Sequence, residues 1–261
     1  MRGLTNAFPN LSGGGSIDVS WHNGTDAQIT AMIQAADAGQ INLTDYWTVG
    51  DERTVQLSAM AATGVGESHA AQAVTLVLMD STCTGFALAS ATSGGKTKPS
   101  FIVGLKNSLA EAGYMNSTSI NTKGWSGCAR RTWCNDVFRA AIPSTLRGIF
   151  KQFKWKQGKG SGASSGLLET TDYFGLAPEK AVFGSVSYAQ SDEVALYAQW
   201  KWYQTASNRI KKRGDTGSAS NWWECSPLSG GSNFFCYVGS GGSASGHYAS
   251  YPYGLAPFGC I

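Results

Sequence analysis

Three histidines, six cysteines and two short Gly/Ser motifs are the residues of this 261-residue chain whose types could support chemistry. His22, His69 and His247 are scattered. Cys83, Cys128, Cys134, Cys225, Cys236 and Cys260 contain no C-x-x-C pair, and the nearest two, Cys128 and Cys134, lie six apart. This is not metal-ligand spacing, so no metal site is expected. Six cysteines at low density, in a long chain whose residues 1–12 have no apolar leader-like core, point to reduced, buried thiols rather than a disulfide framework. Gly162-Ala163-Ser164-Ser165-Gly166 fits G-x-S-x-G, which would place a nucleophile on a strand-to-helix turn. It lies in the Gly/Ser-rich residues 158–166 with no strand expected before it, and reads as a flexible loop. Gly95-Lys96-Thr97 matches the end of a phosphate-binding loop, but Ser90 occupies the place of the required earlier glycine. No nucleophile–base arrangement emerges. The chain reads as a non-enzyme without a cofactor.

The C-terminal 37 residues, 225–261, point elsewhere. They contain no Lys, Arg, Asp or Glu, although charged residues are 14% of the whole chain, and they hold eight Gly, seven Ser and four Tyr. Gly and Ser are poor core residues, while Phe235, Val238, Leu255, Phe258 and Ile261 punctuate the segment too regularly for a disordered tail. Tyrosine gives large contact area at low entropic cost, and Ser, Gly and Asn give adaptable hydrogen bonding, which is the composition of antibody-type binding loops. Trp222, Trp223, Pro227, Phe235, Val238, Ala244, Leu255, Pro257 and Phe258 are the expected framework. The interleaved positions expected to point outward and bind are Asn221, Cys225, Leu228, Gly231, Asn233, Phe234, Tyr237, Gly239, Gly241, Gly246, His247, Tyr248, Ser250, Tyr251, Pro252 and Tyr253. Strict alternation from Phe234 to Val238 would put Phe235 and Val238 on opposite faces, so a bulge or loop must intervene if both are core.

The elements that must position this segment are mixed. Thr25 or Asp26 can cap a helix to about Ala38 with Ile29, Met32, Ile33 and Ala36 on one face, and Gly39 stops it. Strands are expected at 54–57 and at 73–79, and core continues through 101–109. Residues 113–127 read as loop, 130–141 as a helix ended by Pro143, a further turn begins at Ser144, 178–183 as a small helix ended by Gly184, and 193–205 as a helix presenting Leu196, Trp200 and Tyr203. Basic clusters at Lys151, Lys154, Lys156 and Lys159, and at Arg209, Lys211, Lys212 and Arg213, read as solvated loop and helix ends. With no βαβ rhythm, the order of elements indicates α+β. No run of 18 apolar residues occurs, so no membrane span is expected. A net charge of +3 does not argue for nucleic acid.

A family likeness rests on specific residues. Trp222-Trp223-Glu224-Cys225-Ser226-Pro227, Phe235-Cys236-Tyr237-Val238 and Gly254-Leu255-Ala256-Pro257-Phe258-Gly259-Cys260-Ile261 resemble the W-W-x-R-S-P, F-C-x-V and closing G-L-A-P-F-G-C-I of a bacterial and phage domain family. Earlier stretches agree: Tyr46-Trp47-Thr48-Val49-Gly50-Asp51, Gly124-Trp125 through Arg130-Arg131, Ile142-Pro143 with Leu146, and Asp172-Tyr173-Phe174 followed by Pro178-Glu179-Lys180 and Phe183-Gly184. The family resembles the C-type-lectin-fold variable proteins of diversity-generating retroelements, in which an error-prone reverse transcriptase rewrites the 3′ end of the target gene at template adenines. Asn codons of the AAY type then cannot give Lys, Gln, Glu, Met or Trp, and residues 225–261 contain none of these five. Cys225 departs from the family's Arg, and the calcium-binding signatures E-P-N and W-N-D are absent.

The resemblance implies an α+β, C-type lectin-like fold with short mixed or antiparallel strands and flanking helices. It implies an N-terminal arm and helix over 1–44 and a domain over 45–261, with 221–261 as the variable ligand-binding segment. It further implies display on a phage particle or bacterial surface, recognition of a protein or glycan receptor, and an oligomeric state left open, with residues 1–20 as a candidate trimerisation or docking arm. The alternatives are a fixed-specificity structural or tail component, or an enzyme on the same fold.

Overall fold

Thr25 opens the first helix as expected. Its hydroxyl accepts from the Gln28 backbone N–H while the Gln28 side chain accepts from Thr25 N–H, a reciprocal cap that satisfies two otherwise orphaned donors. The structure, a computed structural model, describes residues 19–261. The candidate arm of residues 1–20 lies almost wholly outside the described residues. Helix α1 (Asp26–Asp37) buries Ile29, Met32, Ile33, Ala35 and Ala36. These side chains join one continuous core with residues from the rest of the chain.

The strands are β1 (Glu52–Leu57), β2 (Gln72–Asp80), β3 (Ala87–Leu88), β4 (Ile102–Leu105), β5 (Phe153–Gly158), β6 (Leu167–Asp172), β7 (Phe174–Gly175), β8 (Lys211–Lys212), β9 (Ala219–Ser220), β10 (Trp222–Pro227), β11 (Phe234–Val238), β12 (Ala244–Tyr248) and β13 (Phe258–Cys260). Short helices α2 (Ala129–Trp133), α3 (Arg139–Ala141), α4 (Ser144–Arg147) and α5 (Glu179–Phe183) flank them. The principal sheet runs β1-β2-β4-β13-β7, and three-stranded sheets β3-β5-β6 and β10-β11-β12 and the pair β8-β9 complete the set. Every pairing between these strands is antiparallel. The C-terminal strand β13 inserts between β4 and β7, so the closing residues are core.

Three expectations are corrected. Lys211, expected at a solvated loop or helix end, is fully buried in β8, where its Nζ donates to Leu105 O (2.6 Å) and Lys106 O (2.9 Å). Residues 193–205 are not a helix: they form short 3₁₀ turns at Ser191–Ala195 and Lys201–Gln204, followed by another at Ala206–Arg209. Backbone groups that a helix would use internally bond elsewhere, Trp200 N–H to Ala181 O (2.9 Å) and Lys201 N–H to Asp80 Oδ1 (3.3 Å). The Lys-rich stretch at 151–159 is a strand, not a solvated loop. In β5, Phe153, Trp155 and Gln157 point inward while Lys154 and Lys156 point out, and β5 leads directly into the Gly/Ser loop, which is therefore a hairpin turn to β6. The helix at 130–141 is present but interrupted by a π-turn over Cys134–Phe138 between α2 and α3.

Several short motifs owe their spacing to one buried carboxylate. Asp172 accepts from Trp155 Nε1 (2.7 Å), Trp125 Nε1 (3.2 Å), Thr170 Oγ1 (2.6 Å), Asn135 Nδ2 (3.0 Å) and Arg131 Nε (2.7 Å). A fully desolvated carboxylate is tolerable only when so completely bonded and paired. It ties the 124–131 segment to β5 and β6.

Candidate functional site

The tyrosine-bearing segment is built on the small sheet β10-β11-β12. All six residues of β10 are buried. Trp222 Nε1 donates to Arg209 O and Trp223 Nε1 to Gly113 O, both at 2.9 Å, which fixes two large rings and lets their apolar bodies fill the interior. Opposite β11, Trp222 pairs with Val238 and Trp223 with Tyr237, but Pro227 pairs with Phe235. Strand β10 therefore carries extra residues between Trp223 and Pro227, whereas β11 and β12 keep an unbroken register. The bulge expected within 234–238 is absent: Phe235 and Val238 lie on opposite faces of β11 and both are buried, because both faces are covered there.

That register gives two aromatic groups. Phe235 and Tyr237 share a face with Ser245 and His247; Phe234, Cys236 and Val238 share the other with Ala244, Gly246 and Tyr248. On the first face a chain of rings climbs from the interior to solvent. Trp223 lies 4.8 Å from Tyr253, Tyr253 4.6 Å from Tyr237 and 5.3 Å from Tyr251, and Tyr251 4.3 Å from His247. Trp223 is fully buried and Tyr251 about half exposed, at 48%. Burial, with the neighbouring Tyr237 hydroxyl, pushes the Tyr253 hydroxyl up to about 12 against the opposing hydrogen bond from Asn221. On the second face Phe234 stacks on Tyr248 at 4.4 Å, and Tyr248 is exposed.

The sixteen positions expected to bind separate into three groups. Gly241, Tyr248, Tyr251 and Pro252 are exposed; Asn221, Leu228, Gly231, Asn233, Phe234, Tyr237, Gly239, Gly246, His247 and Ser250 are half-buried. Cys225 and Tyr253 are buried, which corrects the expectation that they point outward. Cys225 lies within the bulged, fully enclosed part of β10, its N–H donating to Ala177 O (3.1 Å). Burial, and then the Glu193 and Glu224 carboxyls, hold its thiol well above the usual range. Among the framework positions Ala244 is only half-buried, and the others are buried.

Some half-buried members are structural. Asn221 Oδ1 accepts from Ser240 N–H (2.8 Å) and Asn221 O from Gly254 N–H (2.8 Å), holding the β11–β12 turn that Gly239 and Gly241 occupy. A Cβ on Gly246 would come 2.1 Å from Leu228 Cδ1, and one on Gly231 2.9 Å from Leu228 Cδ2. The two glycines let Leu228 lie across the sheet. Ser250 Oγ meets Ser119 Oγ at 2.6 Å, and Asn233 O accepts Ala249 N–H.

Sequence reading missed the loop that clamps the segment from outside. Asn121, fully buried, donates through Nδ2 to Gly231 O (2.6 Å) and Phe234 O (2.8 Å), while Met115 and Asn116 N–H both donate to Ala249 O. Partners some 110 residues apart leave no local spacing to read.

Beneath β10 lies a buried polar brace. Ser226 Oγ donates to Glu193 (2.5 Å) and accepts Glu179 N–H (3.0 Å), and the Glu179 carboxyl accepts from Ser187, Tyr188 and Ala189 N–H. Desolvation pushes Glu193 up to about 7, only partly opposed by its bonds to Ser226 and Gly158 N–H. Glu224 is fully buried with no hydrogen-bond partner on either oxygen, and burial holds its carboxyl well above the ordinary value. Clefts of about 500, 420 and 380 Å³ open elsewhere on the surface, and none of them is lined by these groups. All six cysteines are buried and free. Among the described residues no His/Cys/Asp/Glu group could hold a metal ion, and no helix is long and apolar enough to cross a membrane.

Short antiparallel sheets with short flanking helices define the class, a mixed α+β domain. Residues 102–261, more than half the chain and including all of β10 to β13, match the profile of a family described as a domain of unknown function, DUF6273; the chain belongs to that family. No curated protein and no solved structure matches the chain.

Proposed function

We propose that the chain is a ligand-binding display protein of C-type lectin-like fold, the variable protein of a diversity-generating retroelement, carried on a phage particle or bacterial surface. Its segment 221–261 recognises a protein or glycan receptor. The observation that carries this reading is the ring surface of Tyr237, His247, Tyr248 and Tyr251. It is reached by a continuous aromatic path from Trp223 and embedded in residues 225–261, which hold no Lys, Arg, Asp or Glu. Aromatics with one polar tip are the residues that anchor interfaces. The short antiparallel strands and flanking helices are what the lectin-like fold requires, and Cys225 supports the family link in a second way. Burial and then the Glu193 and Glu224 carboxyls raise its thiol, an acidic setting that would favour the arginine the resemblance expects there.

The test is genomic. The reading expects a reverse-transcriptase gene beside this one, with a near-copy of its 3′ end whose mismatches fall only at template adenines. A locus with neither would sink the retroelement part and leave a fixed-specificity binding domain.

A further inference from the structure

A sheet edge that presents unpaired N–H and C=O groups is a template for another strand, and proteins normally guard it by shortness, charge or cover. The edges of this molecule can be compared one by one. β3, β7, β8 and β9 are two residues long. β1 carries Glu52 and Arg53, and β6 carries Glu169 and Asp172. The outer side of β10 is covered by the chain itself: Trp223 N–H donates to Gly254 O, Cys225 N–H to Ala177 O, and Leu228 bridges Ala189. β12 differs from all of these. It is five residues long, Ala-Ser-Gly-His-Tyr, with no Lys, Arg, Asp, Glu or Pro, an unbroken register to β11, and no backbone bridge on its outer side among the described residues.

The register also says which groups are open. Gly239 N–H donates to Ser243 O and Ala249 N–H to Asn233 O, so the odd-numbered residues 243–249 bond inward to β11. The even-numbered ones turn outward. Of these, Tyr248 is already occupied, its N–H by His247 Nδ1 (2.9 Å) and its C=O by Tyr251 N–H (2.9 Å). Ala244 and Gly246 are left with outward N–H and C=O groups. One aromatic group flanks them on each face, His247 with Tyr251 on one and Tyr248 with Phe234 on the other.

We propose that this edge captures an extended segment of a partner protein by strand addition, its backbone pairing with Ala244 and Gly246 and its alternate side chains resting on the two aromatic groups. The inference rests on the proposed binding role of residues 221–261 and narrows the receptor to a polypeptide. Only an extended backbone offers N–H and C=O groups in the alternation that Ala244 and Gly246 present. The segment is uncharged where it pairs, because residues 225–261 offer no Lys, Arg, Asp or Glu to compensate a charge desolvated there. Pairing with a second copy would cover the same rings that the binding role assigns to a ligand, so the occupant is a foreign segment.

The full chain is used to select binders from a library of random linear peptides and, in parallel, is applied to a glycan array. Strand addition expects linear peptides, and their binding slows hydrogen exchange at the Ala244 and Gly246 amides, leaving the inward-bonded Ser245 and His247 amides unchanged. Ala244→Pro removes one outward donor without breaking the β11 ladder. It lowers peptide affinity at least tenfold with the melting temperature unchanged. Should Ala244→Pro destabilise the fold, the exchange pattern of the unsubstituted chain decides alone. Peptides whose binding is abolished by Tyr251→Ala but leaves the Ala244 and Gly246 amides unprotected would overturn strand addition while keeping the binding surface. Glycans without peptides would overturn the polypeptide receptor. A dimer in sedimentation that Ala244→Pro dissolves would replace the foreign segment with a second copy. Failure of the surface itself would show differently, as ligands whose binding neither Tyr251→Ala nor Tyr248→Ala changes.

Discussion

β10 and β12 belong to one three-stranded sheet, separated only by β11, yet β10 buries every residue and β12 buries none. β10 is specified by its side chains: two tryptophans each held by an indole hydrogen bond, a serine bracing two acidic elements, and a proline against Phe235. β12 is specified by its backbone, through the register to β11 and the turn that Asn221 holds. A sheet arranged this way can change the side chains on its outer strand while the inner strand keeps the fold. The division of labour is thermodynamic before it is functional, since substitutions matter to stability where side chains are desolvated and hardly at all where they are not.

The comparison breaks most readily at Trp223. Trp223→Ala removes a fully buried ring and one of the two hydrogen bonds that Gly113 O accepts, and is expected to cost about 3–5 kcal/mol in denaturant unfolding. A loss no larger than that of an exposed tyrosine would mean that β10 is not the framework. Ser226→Ala comes next. It strips Glu193 of a donor and Glu179 N–H of its acceptor inside the protein, for about 1–3 kcal/mol.

Acid–base behaviour sharpens the same contrast. Glu193 ionises at about 7 in the fold against an ordinary 4.5, so its contribution is fully present below pH 4.5 and is lost as pH rises toward 7. Glu193→Gln should remove that decline, worth about 1.4 kcal/mol per pH unit for one proton. Lys211, buried with its Nζ donating to Leu105 O and Lys106 O, is depressed to about 7 from 10.5 by desolvation. Its contribution is present above pH 10.5 and is lost as pH falls toward 7, and Lys211→Met should flatten that limb. Unfolding midpoints measured from pH 4 to 10 that are the same for wild type and both variants would contradict the burial of these groups. The smallest effects belong to the exposed rings: Tyr248→Ala and Tyr251→Ala should each shift stability by about 0.5 kcal/mol or less, measured by thermal unfolding.

What could be read from sequence follows the same line. The α1 cap, the apolar run of β2 and the Gly184 stop after α5 are local signals, and each lies where its residues indicate. β5 carries a period-2 pattern too, but Lys154 and Lys156 read as a charge cluster when taken apart from the inward Phe153, Trp155 and Gln157 that alternate with them. The ring spacing of 193–205 suggested a helix, although its backbone donors bond to Ala181 and Asp80, which no local pattern announces. Within residues 221–261, composition separates most buried from most exposed positions. Cys225 is buried because both faces of β10 are covered, which alternation alone does not announce, and Tyr253 because its ring turns back onto Trp223.

The most direct test of the central claim is to sequence the 3′ end of this gene across many clones or relatives from one source. The account predicts variation concentrated at surface positions such as Tyr237, His247, Tyr248 and Tyr251, in NNY codons, with Trp222, Trp223, Pro227 and residues 254–261 constant. A segment 221–261 as invariant as the rest of the chain would contradict it.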